Sequence, residues 1–132
     1  MLPFSIALRA GEPVVDQVVY AVTRAVVSGQ LRPGDRFPSV RTLSQALRVN
    51  PNTAQRIVTL LVEAELLAVE PGIGTVVTGQ AERGAAPKKA DVAAIAERLA
   101  EPLVVEARRV GLGLPDLMDL VRDRWKRLIE SR

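Results

Sequence analysis

Apolar residues recur at helical spacing along most of this chain, and turn-forming residues punctuate them. Phe4-Ser5-Ile6-Ala7-Leu8-Arg9 alternates apolar with polar or small residues and predicts a short strand that ends at Gly11. Val14, Val18, Ala21, Val22, Ala25 and Val26 share one helical face. With Pro13 ahead and Gly29 behind, they predict a first helix over residues 13–28. Gln30 to Pro38 reads as a turn-rich link. Ser39 is placed to cap a short second helix whose apolar face is Val40, Leu43, Ala46 and Leu47. Arg48-Val49 is a tight break. Asn50-Pro51 is a cap followed by proline at the first helical position. Ala54, Ile57, Val58, Leu61 and Val62 then carry a third helix to near Glu65.

Two β-prone runs follow, Leu66–Glu70 and Thr75–Thr78, around the turn Pro71-Gly72-Ile73-Gly74, and they predict a hairpin. Gly79–Lys89 is polar, small and contains Gly and Pro, as a linker does. Beyond it, Val92, Ile95, Ala96, Leu99, Leu103, Ala107 and Val110 mark a fourth helix, which Pro102 should kink. Gly111-Leu112-Gly113 breaks it. A fifth helix restarts at Pro115 with Leu117, Val121, Trp125, Leu128 and Ile129 on one face. No internal repeat is visible. The expected fold is mainly α with a small β-hairpin wing: a winged helix-turn-helix over 1–79, a linker over 80–89 and a helical pair over 90–132.

Composition narrows the chemistry. At 132 residues the chain holds one small domain with an appendage, and 48% apolar residues suffice for a core. There is no Cys, so disulfides, thiolate metal sites and Cys nucleophiles are excluded. There is no His either, which removes the commonest general base and most catalytic zinc sites. Neither a phosphate loop nor a nucleophile elbow is present. Asp116 and Asp119 lie three apart near the start of the fifth helix, where acidic residues complement the helix dipole. The reading is therefore not an enzyme, with no catalytic residue, cofactor or metal. No run approaches the roughly 20 apolar residues that cross a bilayer. The start lacks the basic and apolar regions of a leader, so the expected location is the cytoplasm, without a membrane partner.

A short helix meeting a longer one through a tight turn is the helix-turn-helix plan, whose second helix can lie in the major groove. The start of the third helix gathers Asn50, Asn52, Thr53, Gln55 and Arg56. Asn and Gln can pair bidentately with adenine, Arg with guanine, and Thr can meet a thymine methyl or a phosphate. A solvated helix face would carry similar residues, and Asn50 also serves as the cap. The small turn before them favours DNA for Asn52, Gln55 and Arg56. Net charge adds little: the formal value is +3, with residues 1–80 carrying seven basic and six acidic side chains. Binding must rest on the placement of a few arginines and amides.

Ser28 to Leu43 (SGQLRPGDRFPSVRTL) resembles the opening signature of GntR-family regulators. Val49 to Arg56 resembles their recognition helix, and Gly72 to Val77 their wing. Together these motifs cover most of residues 4–78. The resemblance implies a bacterial winged-helix transcription regulator binding palindromic double-stranded DNA operators as a homodimer. Only about 50 residues follow the wing, too few for the effector-binding or aminotransferase-like domains of larger branches. A short helix pair is similar to the YtrA subfamily. That likeness implies dimerisation through the two helices, with Leu99, Leu103, Leu117, Val121, Trp125 and Leu128 as candidate interface residues. It also implies a repressor that controls its own operon, often with a transporter. No effector is specified. By matching position, Arg41 falls where the family contacts DNA, Ser39 caps the same helix, Arg36 precedes it within reach of phosphate, and Gly72 and Thr75 belong to the wing. The wing departs from the family pattern: Pro71 and Ile73 stand where Arg or Lys is common. A rival reading is a winged helix used for protein contact, with Pro71 and Ile73 as its tip.

Overall fold

Helix α1, Val14–Val27, buries Val18, Val22, Ala25 and Val26, the stripe expected from its spacing. It ends at Ser28, and Gly29 takes a positive φ of 81° that an L side chain would resist. Helix α2, Val40–Leu47, is capped by Ser39, whose hydroxyl oxygen accepts from the Thr42 N–H at 3.1 Å. Helix α3, Pro51–Glu63, is capped by Asn50, whose Oδ1 accepts from the Asn52 N–H at 2.8 Å. Strands β1, Leu67–Glu70, and β2, Gly74–Val77, pair antiparallel with Leu67 opposite Val77 and Glu70 opposite Gly74. In this computed structural model residues 2–78 and 86–130 are described. The chain divides into two units, residues 1–80 and 81–132.

The core of the first unit lies where α3 packs against α1, α2 and β1. Leu43, Ile57, Leu61, Val18, Val22 and Leu67 are each almost fully buried there. Deleting one of the larger ones costs about 2–5 kcal/mol in cores of this kind.

Two elements differ from the sequence expectation. Phe4–Arg9 is not a strand. Its alternation finds no partner edge. Instead Phe4 buries its ring in parallel with Phe37, centroids 5.9 Å apart, and Gln17 fastens the segment's end. Gln17 Oε1 accepts from the Arg9 N–H at 2.7 Å, and its Nε2 donates to the Arg9 and Glu12 carbonyls. The link before α2, read as turns alone, also pairs with the wing. Phe37 N–H donates to the Thr75 carbonyl and Val77 N–H to the Asp35 carbonyl, each at 2.8 Å, around a bridge between Arg36 and Val76. This tie places the wing beside the start of α2.

In the second unit a helical run opens with α4, Lys89–Ile95. It continues through a π-helical turn, Ala96–Ala100, into α5, Glu101–Arg109. Lys89 is the last residue assigned to the linker by sequence, and linker residues 79–85 lie outside the described residues. Pro102 lacks an N–H, and in a regular helix its ring would strike the carbonyl four residues earlier. The structure meets this with the π turn just before it, where Glu101 N–H reaches back to the Ala96 carbonyl. Leu112 N–H then donates to the Ala107 carbonyl and Gly111 N–H to that of Arg108, with Gly111 at φ 91°: a Schellman stop. Helix α6, Leu114–Trp125, starts at Gly113, whose N–H is held by Asp116 Oδ2 at 3.1 Å. A second π turn, Lys126–Glu130, carries Leu128 and Ile129.

Candidate nucleic-acid interface

The turn between α2 and α3 is built by three residues. Arg48 ends α2 in the left-handed region, φ 56° and ψ 47°, which reverses the chain in one step. Val49 N–H donates to the Ser44 carbonyl at 3.1 Å, and the buried Ser44 hydroxyl donates to the Val49 carbonyl at 2.8 Å. Ser44 thereby ties the end of the turn to the body of α2. Its role was not legible from the apolar pattern, because a lone Ser inside a short helix resembles any surface Ser.

Helix α3 has two faces. Ala54, Ile57, Val58 and Leu61 are buried. Asn52, Gln55, Arg56 and Thr59 are exposed and fall three, four and seven residues apart, one continuous outward stripe. Thr53 is half-buried between the faces. Along the stripe Gln55 Nε2 donates to Thr59 Oγ1 at 3.3 Å. Thr59 was not among the residues singled out by sequence. Its position on the stripe, seven residues after Asn52, was the available signal. Asn50 is committed as the cap, as its sequence context suggested.

Arg41 is exposed one residue into α2, and Ser39 fixes that helix end, its hydroxyl also donating to Thr42 Oγ1 at 3.0 Å. Arg36 is exposed next to the wing strand. None of Arg36, Arg41, Arg48 and Arg56 is engaged by a carboxylate among the described residues. The charge on this unit is small, but these four cations are uncommitted.

The wing tip is different in kind. Ile73 N–H closes the turn on the Glu70 carbonyl at 3.1 Å, and Gly72 has a φ of 78°. Thr75 is half-buried, and its carbonyl is already used by Phe37. Glu70, Pro71 and Ile73 are exposed at the tip, which carries no cation.

In the second unit Leu117 and Ala107 are buried where α5 and α6 meet. Leu99, Leu103, Val121 and Trp125 remain substantially exposed, Trp125 at 62%. Leu103, Val121 and Trp125 line an apolar groove of 490 Å³ together with Val104, Leu114 and Met118. Asp116 Oδ2 accepts from the Gly113 N–H at the start of α6, and Asp119 pairs with Arg122 at 3.0 Å.

A capped helix pair joined by a locked turn, with a polar stripe on its second helix and a hairpin behind, defines a winged-helix DNA-binding regulator. Residues 14–77 match the sequence profile of the GntR family of bacterial regulatory proteins. The HTH-type transcriptional repressor YtrA of Bacillus subtilis is 26% identical over 115 residues, 87% of this chain and 86% of that protein. A GntR family transcriptional regulator from Listeria monocytogenes superposes with a TM-score of 0.64 at 28% identity, covering 88% of this chain and 98% of that one. A second structure, a transcriptional antiterminator from Listeria monocytogenes EGD-e, superposes with a TM-score of 0.77 over 96% of this chain and 92% of that one. At 23% identity that likeness shows the fold. The function is transcription regulation through DNA binding.

Proposed function

We propose that the chain is a homodimeric repressor that reads a palindromic operator, with α3 in the major groove. The observation that carries this reading is the exposed stripe of Asn52, Gln55, Arg56 and Thr59 on a helix whose other face, Ala54, Ile57, Val58 and Leu61, is buried. Asn52, Gln55 and Arg56 meet base edges, and Thr53 meets a phosphate or a thymine methyl at the side of the helix. Arg41 and Arg36 meet the backbone. The amides at the start of α2, arranged by Ser39, accept a phosphate. Asn50 acts by holding the start of α3. Gly72 and Thr75 shape the wing, which approaches the duplex without an inserted cation. No catalytic step, cofactor, metal or effector enters the reading, and the protein works in the cytoplasm.

Dimerisation through residues 90–132 is supported by the exposed apolar groove of the second unit and the exposed Leu99 beside it in sequence. A two-fold axis then presents two α3 helices to half-sites about one DNA turn apart. Repression is supported by the likeness to the transcriptional repressor YtrA of Bacillus subtilis. The expected first target is the protein's own operon.

Footprinting on the upstream region of its own gene, with a salt series, tests this. A protected two-fold sequence whose affinity falls steeply with salt is the expected result. A winged helix used only for protein contact shows no salt-dependent DNA binding, and that outcome replaces the proposal.

A further inference from the structure

Most residues on the stripe of α3 carry amides or hydroxyls, and their chemistry specifies which bases they suit. Gln55 Nε2 has two hydrogens. One is spent on Thr59 Oγ1 at 3.3 Å. The amide edge that carries one N–H beside Oε1 presents one donor beside one acceptor, the complement of adenine N7 and N6 in the major groove. Guanine offers two acceptors there, so one of the two contacts becomes repulsive. A free glutamine can turn its amide over at little cost. The bond to Thr59, one turn further along, instead holds the Gln55 side chain along the stripe, so its amide is placed in advance, whichever way round it meets the hydroxyl.

Asn52 lies one turn before Gln55. Its backbone N–H is satisfied by Asn50 Oδ1, and its side-chain amide meets no partner among the described residues. Arg56 is likewise uncommitted and can fork onto guanine. Gln55 and Arg56 follow Asn52 by three and four residues, a rise of about 4.5–6 Å along the helix, and are themselves adjacent. Stacked base pairs lie 3.4 Å apart, so Asn52 addresses a base pair beside those of Gln55 and Arg56, which part sideways around the helix. The wing tip supplies no cation to add a minor-groove preference, so discrimination rests on this stripe.

We propose that the half-site holds two adenines, one read by Asn52 and one by Gln55, beside a guanine read by Arg56, and that Thr59 is the positioning residue that holds the Gln55 amide in place on the stripe. This rests on the proposal that α3 enters the major groove.

The test is enrichment of full-length protein on randomised duplexes, repeated with Asn52→Ala, Gln55→Ala, Thr59→Val and Thr59→Ser at one salt concentration. The unmodified chain is expected to enrich sites with adenines at two positions and a guanine. Asn52→Ala and Gln55→Ala each erase the preference at one adenine position, a discrimination of about 5- to 150-fold. Thr59→Val keeps the shape of threonine and removes the hydroxyl. It is expected to lower discrimination at the Gln55 position alone, with the other positions and the binding to random duplex unchanged. Thr59→Ser restores it. Half-sites without adenine at the two positions, or a Thr59→Val profile equal to that of the unmodified chain, overturn the inference while leaving groove entry intact. Absence of binding to any duplex by folded protein overturns groove entry, and this inference with it.

Discussion

At the scale of single residues, the side chains proposed to meet DNA lie outside the core, and substitutions should separate recognition from stability. Arg41 and Asn52 are exposed and are not members of the core. Arg41→Ala and Asn52→Ala are each expected to weaken operator binding, with the thermal midpoint unchanged. Asn52→Ala should cost about 1–3 kcal/mol at a matched operator and relax the preference there. Arg41→Ala should weaken all sequences alike and lower the salt slope by about one. Titrations of both variants at fixed salt, beside a melting curve, check this. Arg48 shows the converse. Its backbone sits at φ 56°, which costs an L residue about 1–2 kcal/mol, and glycine there avoids that cost but loses more entropy on folding. Arg48→Gly is therefore expected to raise the unfolding free energy by roughly 0.5–1 kcal/mol in a urea titration. The sequence marked the break at Arg48-Val49 but not its left-handed backbone, because arginine does not announce that conformation as glycine does.

At the scale of elements, the parts fixed by neighbours in sequence were legible and those fixed by distant partners were not. The caps Ser39 and Asn50, the proline at the start of α3 and the Pro-Gly wing turn are local devices, and the elements they bound form as expected. Phe4–Arg9 alternates like a strand, but alternation is only a request for an edge, and the one available edge of β2 is taken by residues 35–37. The π turn before Pro102 was half legible, since proline announces a disturbance without saying how the backbone absorbs it. The stripe of α3 was read in full except for Thr59, whose bond to Gln55 is a side-chain event that no spacing displays. Ser44 was missed for the same reason. Ser44→Ala removes the donor to the Val49 carbonyl and is expected to destabilise the fold by about 1 kcal/mol or somewhat more. Because that bond aims α3, operator affinity should fall although no DNA contact is deleted. A normal affinity with lowered stability would show that the turn holds its angle without Ser44. The stripe contains only amides, a hydroxyl and an arginine, and the chain has no His or Cys. Operator affinity at fixed salt is thus expected to stay flat between about pH 6 and 8, where His would otherwise titrate.

At the scale of the molecule, the proposed dimer gives each unit a separate task. The first unit has its own core, whereas the second leaves most of its large apolar side chains in contact with solvent. Removing residues 90–132 is expected to leave a folded monomer that binds the operator weakly, because one half-site forfeits the effective concentration supplied by the other. Sedimentation of the truncated chain checks this, and full dimerisation would place the interface elsewhere. Trp125 offers the closest view of the proposed interface. It is the only Trp in the chain, it lines the apolar groove beside Leu103 and Val121, and it is 62% exposed in a single copy. An indole so placed is a natural anchor for a partner helix, apolar over its rings with one N–H to satisfy at the rim. The two states therefore predict different spectra. In concentrated protein, emission should be blue-shifted because the partner covers the ring. On dilution it should move red, toward the exposure of the single chain, along the same curve as the change in sedimentation. Operator DNA should change it little, since Trp125 lies outside the unit that reads DNA. A solvent-like spectrum in the concentrated native protein, unmoved by dilution, would remove Trp125 from the interface. Trp125→Ala should weaken self-association directly. It should weaken operator binding only at concentrations where the dimer falls apart, because both half-sites are engaged only while it holds.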